Sequence, residues 1–378
     1  MLSAATSAHA ATLTTIIPSN SIDQGAVVYA NGYIFVSSYF GDSIEVIQDS
    51  TNSIVSSVTV AQGAPYGLAY DSNKGEIWVA TSGGACAISD SPPFNSIVNV
   101  TDTNGFEQAA FDSKTGEVFM AWNGVISVIS DSTNNIIVNI TQSVTSMVDD
   151  SATSQIFAVQ PPNEYGGAPD ALVISAKTNS VTSNITLSGY YTPQTVYDSG
   201  KGEIFVATAG DSGVVALQIF SENSPFKLLK TINLPTSVAL GSMAYSPDKG
   251  DIFINDATLV AIISDQTYSV ATVNDNGTSA GGIAYDSGTS SVYAVNSEGS
   301  ETGTLGSVAV IADSSSSSSG SNPTPTVTSS TGTSSTAIPT STPKVPEFSN
   351  AVLPLIAATM AAVILFAIVV TKKKTKPK

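Results

Sequence analysis

Apolar runs of four to six residues, broken by clusters of Asp, Ser, Thr, Asn and Gly, follow one another across residues 12–313. Within the runs β-branched and aromatic residues dominate, as in Ile77-Trp78-Val79-Ala80 and Ile126-Ser127-Val128-Ile129. That is the composition of strands. No window of a dozen residues here spaces its apolar side chains three and four apart, so no amphipathic helix is expected. The runs also repeat. A phrase close to Tyr-Asp-Ser-x-x-Gly-Glu-Ile-Phe-Val-Ala returns at intervals of 38 to 48 residues. One copy reads Tyr70-Asp71-Ser72-Asn73-Lys74-Gly75-Glu76-Ile77-Trp78 and the next Phe111-Asp112-Ser113-Lys114-Thr115-Gly116-Glu117-Val118-Phe119. Further copies cover 150–159, 197–207, 245–255 and 285–295, and a worn one covers 29–38.

Each repeat holds four strand signals separated by turn residues, the third ending in turns such as Asp131-Ser132-Thr133-Asn134. Four antiparallel strands in roughly 40 residues make one propeller blade, and radial repetition protects the sheet edges. The expected fold is therefore all-β, a seven-bladed β-propeller over 11–313. Its blades begin near Ala26, Tyr66, Gln108, Met147, Gln194, Ser242 and Gly282. The seventh copy ends after Val308-Ala309-Val310-Ile311 with no outer strand. An orphan strand, Thr12-Leu13-Thr14-Thr15-Ile16-Ile17-Pro18, resembles the outer strand of blade five over 228–235. The N-terminal strand is expected to pair with 308–311 and close the ring.

The repeats resemble the YVTN family of β-propeller repeats found in archaeal surface-layer proteins. The places of its Val-Tyr-Val-Ala-Asn strand are taken by Ile204-Phe205-Val206-Ala207 and Val292-Tyr293-Ala294-Val295-Asn296. Its turn is matched by Ile47-Gln48-Asp49-Ser50-Thr51-Asn52. The resemblance implies a fold and a surface location and leaves the chemistry open, since propellers host enzymes, binders and scaffolds.

Residues 314–346 are almost wholly Ser, Thr, Pro and Gly, the composition of an extended stalk, O-glycosylated or bare. Residues 351–370 hold no charge, long enough for one transmembrane helix, and lysines 372, 373, 374, 376 and 378 follow. Positive residues beside a span stay in the cytoplasm, which puts the propeller outside the cell. Pro346-Glu347-Phe348 before an apolar span and a basic tail resembles the PEF-CTERM sorting signal. That resemblance implies processing by an archaeosortase near those residues; a plain stop-transfer anchor is the alternative. The segment 347–371 thus carries sorting motif and helix, and 372–378 the cytoplasmic tail. At the other end, Ala8-His9-Ala10 has the form of a signal-peptidase site, but 1–10 lacks a basic start and a full apolar stretch. It reads as a signal-peptide remnant, with translation expected to start upstream.

Composition narrows the chemistry. The chain has one Cys, one His and no Arg, and His9 would leave with the signal. Ser-His-Asp and Cys-His catalysis and imidazole metal sites are then excluded. Cys86 has no partner for a disulfide and reads as a small buried hydrophobe. Net charge is −17, and setting aside the five tail lysines leaves about −22 outside the membrane. Nucleic acid, which needs clustered cations, is not an expected partner.

Candidate chemistry is sparse. The repeated Asp71, Asp112, Asp198 and Asp286 read as turn residues rather than metal ligands, because Asp caps its own backbone. Asp149 takes the place of the aromatic that opens the phrase in the other copies; with Asp150 it is a weak Ca²⁺ candidate or a mark of a degenerate blade. No other cofactor is expected. Loops entering the first strands should ring one channel mouth, making Tyr66, Phe106, Tyr165, Tyr190 and Tyr191 candidates for ligand contact or for interblade packing. Sequons stand at Asn99, Asn139, Asn184 and Asn276, the first three in outermost strands. The expected function is a non-catalytic surface module engaging envelope glycan or a surface-layer protein. The alternative is an extracellular carboxylate-dependent polysaccharide hydrolase or lyase, which needs two acids about 5–10 Å apart. A convergent acid pair at the mouth would favour the enzyme; aromatic and amide groups without one would favour the binder.

Overall fold

The computed structural model describes residues 10–19, 25–162, 168–189, 191–209, 215–234, 240–297 and 306–314. The N-terminal sequence before Ala10, Tyr165, Tyr190 and everything after residue 314, including Pro346, Glu347 and Phe348, lie outside them. Seven four-stranded antiparallel sheets succeed one another in chain order. First strands begin at Val27, Pro65, Gln108, Ser146, Tyr191, Leu240 and Ala280, within three residues of expectation. The offsets are largest in blades five, six and seven, where register shifts near the strand start lengthen the first strand. First strands of neighbouring blades abut around the whole ring. Between blades seven and one, Gly282 N–H donates to Gly25 O at 2.8 Å. A Cβ on Gly282 would sit 2.6 Å from that same oxygen, so the close approach requires glycine.

Burial follows strand position. Second strands such as Glu76–Thr81 are buried almost throughout, because a blade lies against each face. Fourth strands such as Asn135–Ile140 alternate exposed and half-buried, as expected where one face meets water. The third residue of each second strand is aromatic and at most 1% exposed: Phe35, Trp78, Phe119, Phe157, Phe205, Phe253 and Tyr293. These rings feed seven apolar clusters, each spanning one blade boundary. Burying one such side chain contributes up to about 3 kcal/mol.

Closure occurs as expected and runs further. The strand Ala10–Ser19 pairs with Gly306–Ser314 along its length, with Ile17 opposite Val308 and Leu13 opposite Ile311. A bulge between Leu13 and Thr15 is held by Thr14 Oγ1 donating to Val310 O at 2.8 Å. Both chain ends of the ring therefore sit at one end of the blades. First strands run from the mouth end to the turn end; Ala10 and Ser314 lie at the turn end. No helix among the described residues is long and apolar enough to cross a membrane.

Candidate functional site

The turn end is built from the repeated phrase. Asp71 Oδ1 accepts from the Asn73 and Lys74 N–H groups at 2.9 and 3.2 Å. Asp112, Asp150, Asp198 and Asp286 cap their turns in the same way. Lys74, Lys114 and Lys201 each donate from Nζ to a carbonyl of the following blade, at Asp131, Ala152 and Asp265. The Glu of the phrase is gripped from a neighbouring blade: Asn179 Nδ2 donates to Glu117 at 3.1 Å and the Tyr268 hydroxyl to Glu203. Phenols at this end donate to carboxylates, Tyr70 to Asp90 and Tyr197 to Glu222 within their own blades and Tyr285 to the preceding blade. Tyr285 donates to Asp248 at 2.5 Å, and burial together with Asp286, Asp150 and Asp198 raises the phenols of Tyr29, Tyr197 and Tyr245.

Asp149 occupies this phenol position, opposite Ile156 as Tyr197 is opposite Ile204. Its Oδ1 and the Oδ2 of Asp112 are buried with no hydrogen-bond partner among the described residues. Burial pushes its carboxyl up to about 8, Asp112 and Asp150 add repulsion, and Lys114 opposes them. Asp150, fully buried, is committed to its turn, accepting also from Thr153 Oγ1 at 2.5 Å. Among the described residues no group of three His, Cys, Asp or Glu is placed to hold a metal ion. Cys86 is 2% exposed in the cluster between blades one and two, and burial pushes its thiol up to about 12.

The mouth end has a different chemistry. All seven described lysines lie in turns at the opposite end or on the residues of a fourth strand just rising from it. The undescribed segments between residues 20 and 305 contain neither lysine nor arginine in sequence. At the centre opens a cavity of about 480 Å³ to which all seven blades contribute. On one side stand Tyr39, Phe40 and Tyr66: the Tyr39 ring lies edge-on to Phe40 at 4.8 Å and tilted to Tyr66 at 5.2 Å. Phe40 is 74% exposed at the tip of the turn between the second and third strands of blade one. Tyr66 is fixed from behind, since Ser37 Oγ donates to its carbonyl at 2.7 Å. Burial and the Tyr39 hydroxyl push the Tyr66 phenol up to about 12.

Beside Tyr66 stand Glu107 and Gln108 of the next blade, and further round the mouth Thr145 and Gln194. Glu107 is held by its backbone, accepting from Gly67 N and donating to Ala121 O, both at 2.9 Å. Burial raises its carboxyl. Glu107 is the only carboxylate among the described lining residues. The side-chain amides of Gln108 and Gln194 make no hydrogen bond within the described residues, so both offer a donor and an acceptor to a ligand. A second cavity of about 490 Å³ adjoins the first and reaches Trp122, Asn123, Ser143 and Val144.

Of the sequence candidates, Tyr66 lines the mouth. Phe106 does not: it is 3% exposed and packs in the cluster between blades two and three, because the chain turns at Gly105 and aims the ring inward. Tyr191 opens the first strand of blade five, and its side chain is outside the described set. Asp149 and Asp150 lie at the turn end, remote from the mouth. Asn99, Asn139, Asn184 and Asn276 are all exposed. Sequence reasoning missed Tyr39, Phe40, Glu107, Gln108, Gln194 and Trp122. The one signal is at Gln108 and Gln194, which stand where the other blades carry Ala26, Gly67, Ser146, Ser242 and Gly282.

No family model and no curated protein matches this chain. Solved structures do. Hydrazine synthase of Kuenenia stuttgartiensis is similar with a TM-score of 0.61 at 15% identity, over 70% of this chain and 89% of that one. The Cps50 (Swd1) β-propeller domain of Myceliophteria thermophila is similar with a TM-score of 0.60 at 12% identity, over 79% and 99%. At such identities the likeness concerns the fold alone. The chain is a seven-bladed β-propeller with four-stranded antiparallel blades.

Proposed function

We propose that the protein is a non-catalytic binding module of the cell surface that holds an envelope glycan at the mouth of its propeller. One observation carries this reading: aromatic rings at Tyr39, Phe40 and Tyr66 share a central cavity with amides at Gln108 and Gln194 that make no hydrogen bond among the described residues, and Glu107 is the one carboxylate among the described lining residues. Aromatic faces stack on the apolar faces of sugar rings, and amides take sugar hydroxyls as donor and acceptor at once. The carboxylate-dependent hydrolase or lyase is the weaker reading, because Glu107 is the one acid among the described residues lining the two cavities.

Surface display rests on the C-terminal sequence: the Ser/Thr/Pro-rich stretch, the uncharged span, the lysine tail and the Pro346-Glu347-Phe348 signal, with archaeosortase processing as its consequence. The resemblance to surface-layer YVTN repeats supports the same location and keeps a surface-layer protein as an alternative partner. Ser314, the last described residue, lies at the turn end, opposite the mouth. The test is retention of the full-length chain on a cell-envelope fraction, with released reducing sugar assayed in parallel. Saturable retention, lost in Phe40→Ala/Tyr66→Ala and without sugar release, is the expected result. Sugar release abolished by Glu107→Gln would make it an enzyme, and retention unaffected by the double variant would remove the mouth from the function.

A further inference from the structure

The large hydrophobic side chains that this propeller exposes are sorted by type. Ile16, Ile54, Val55, Ile97, Ile137, Leu228 and Leu229 are aliphatic and lie on outer strands. Tyr39, Phe40 and Trp122 are aromatic and lie at the mouth end. An outer strand exposing aliphatics singly needs no explanation. An exposed tryptophan does, because leaving the indole in water forgoes burial of the largest apolar side chain.

Trp122 is 42% exposed and ends the second strand of blade three, opposite Val125. The two-residue turn behind it, Asn123 and Gly124, has both residues at positive φ, a tight hairpin that holds the strand ends in register. Nothing lies within 4 Å of where a Gly124 Cβ would project, so the space beside the hairpin is open. The cavity lined by Trp122 shares Glu107, Gln108, Thr145 and Gln194 with the central cavity. The two therefore adjoin along these four residues. Each is already within the size range of a complete small-molecule site. Together they offer more length than one sugar ring fills.

We propose that the mouth and the recess beside Trp122 form one groove that binds several consecutive units of a linear, uncharged polysaccharide, with Tyr39, Phe40 and Tyr66 as the stacking platform at one end and Trp122 at the other. This deepens, and rests on, the assignment of the mouth as a glycan site. The class of polymer follows from charge. A uronate, sulfated or phosphate-bearing chain needs cations, and the described residues of the mouth end include no lysine or arginine while Glu107 lines the cavity. Gln108 and Gln194 are neutral and bifunctional, the groups that pair with hydroxyls.

The test is calorimetric titration of the full-length protein with neutral gluco-, manno-, galacto- and N-acetylglucosamine oligomers of one to six units, and with oligogalacturonate as the anionic series. Affinity for one neutral series should rise with length and level off, and Trp122→Ala should lower the longest oligomer's affinity roughly tenfold while leaving the shortest binding member unchanged. Thermal unfolding of Trp122→Ala, which removes an exposed ring, controls for folding. A flat length dependence, or a Trp122→Ala variant that binds the hexamer as wild type does, overturns the groove while leaving the mouth as a site. Preference for oligogalacturonate, or no binding by any neutral series, overturns the polymer class. Binding untouched by Phe40→Ala/Tyr66→Ala overturns the underlying reading as well.

Discussion

The two ends of this propeller are made from the same seven repeats and share almost no chemistry. At the turn end, blades four, five and seven repeat the turn caps of blades two and three, and charged or phenolic groups reach across blade boundaries in both directions. At the mouth end the aromatic and amide residues differ from blade to blade. Internal repetition thus separates two kinds of residue. What recurs at each copy holds neighbouring blades in register, and what departs from the repeat is free to meet a ligand.

The largest stability effect is expected from the turn end. Asp198→Ala leaves the Gly200 and Lys201 N–H groups without their acceptor and removes the carboxylate facing Tyr245. It should lower unfolding free energy by about 3 kcal/mol in urea denaturation, with mouth binding unchanged. Equal loss in binding and stability would erase the separation of the two ends.

Asp149 tests the same scheme at the one boundary where an acid stands for the phenol. Its carboxyl is raised from the usual 3.8 to about 8, so the folded state holds a proton that the unfolded state has released. Stability from this group is greatest near pH 4 and falls as pH rises to about 8. Asp149→Asn should therefore stabilise the protein at pH 8 and change it little at pH 4. A variant whose stability runs parallel to wild type across that window would show the proton is not held there.

Mouth substitutions should do the reverse of Asp198→Ala. Phe40→Ala/Tyr66→Ala is expected to weaken envelope retention at least tenfold, about 1.4 kcal/mol, while the melting temperature moves by only a degree or two. Smallest of all is Lys201→Met. It removes a donor to Asp265 O and an ion pair of 3.8 Å at a partly exposed site, and less than about 1 kcal/mol should follow, measured by denaturation at low and high salt.

Much of the ring could be read before folding. The position of each phrase located the blades to within three residues, because turn capping by Asp and glycine's positive φ are local effects written in adjacent residues. Closure by the N-terminal strand was legible because an unpaired fourth strand at one end of the chain and an orphan at the other must find each other. Phe106 shows where such reading stops. It sits in a loop of the expected kind, yet one turn at Gly105 sends its ring into the core. Phe40, two blades away in sequence, takes the exposed place instead.

Period, strand number and turn chemistry were thus set by the order of residues, since each depends on neighbours a few positions apart. The site was settled by the ring. Tyr39, Tyr66, Glu107 and Gln194 come from four blades spread over more than 150 residues, and only closure brings their side chains around one cavity. Side chains that converge on a ligand need share no local pattern, because the distance between them is fixed by the curvature of the blades and not by the chain that links them.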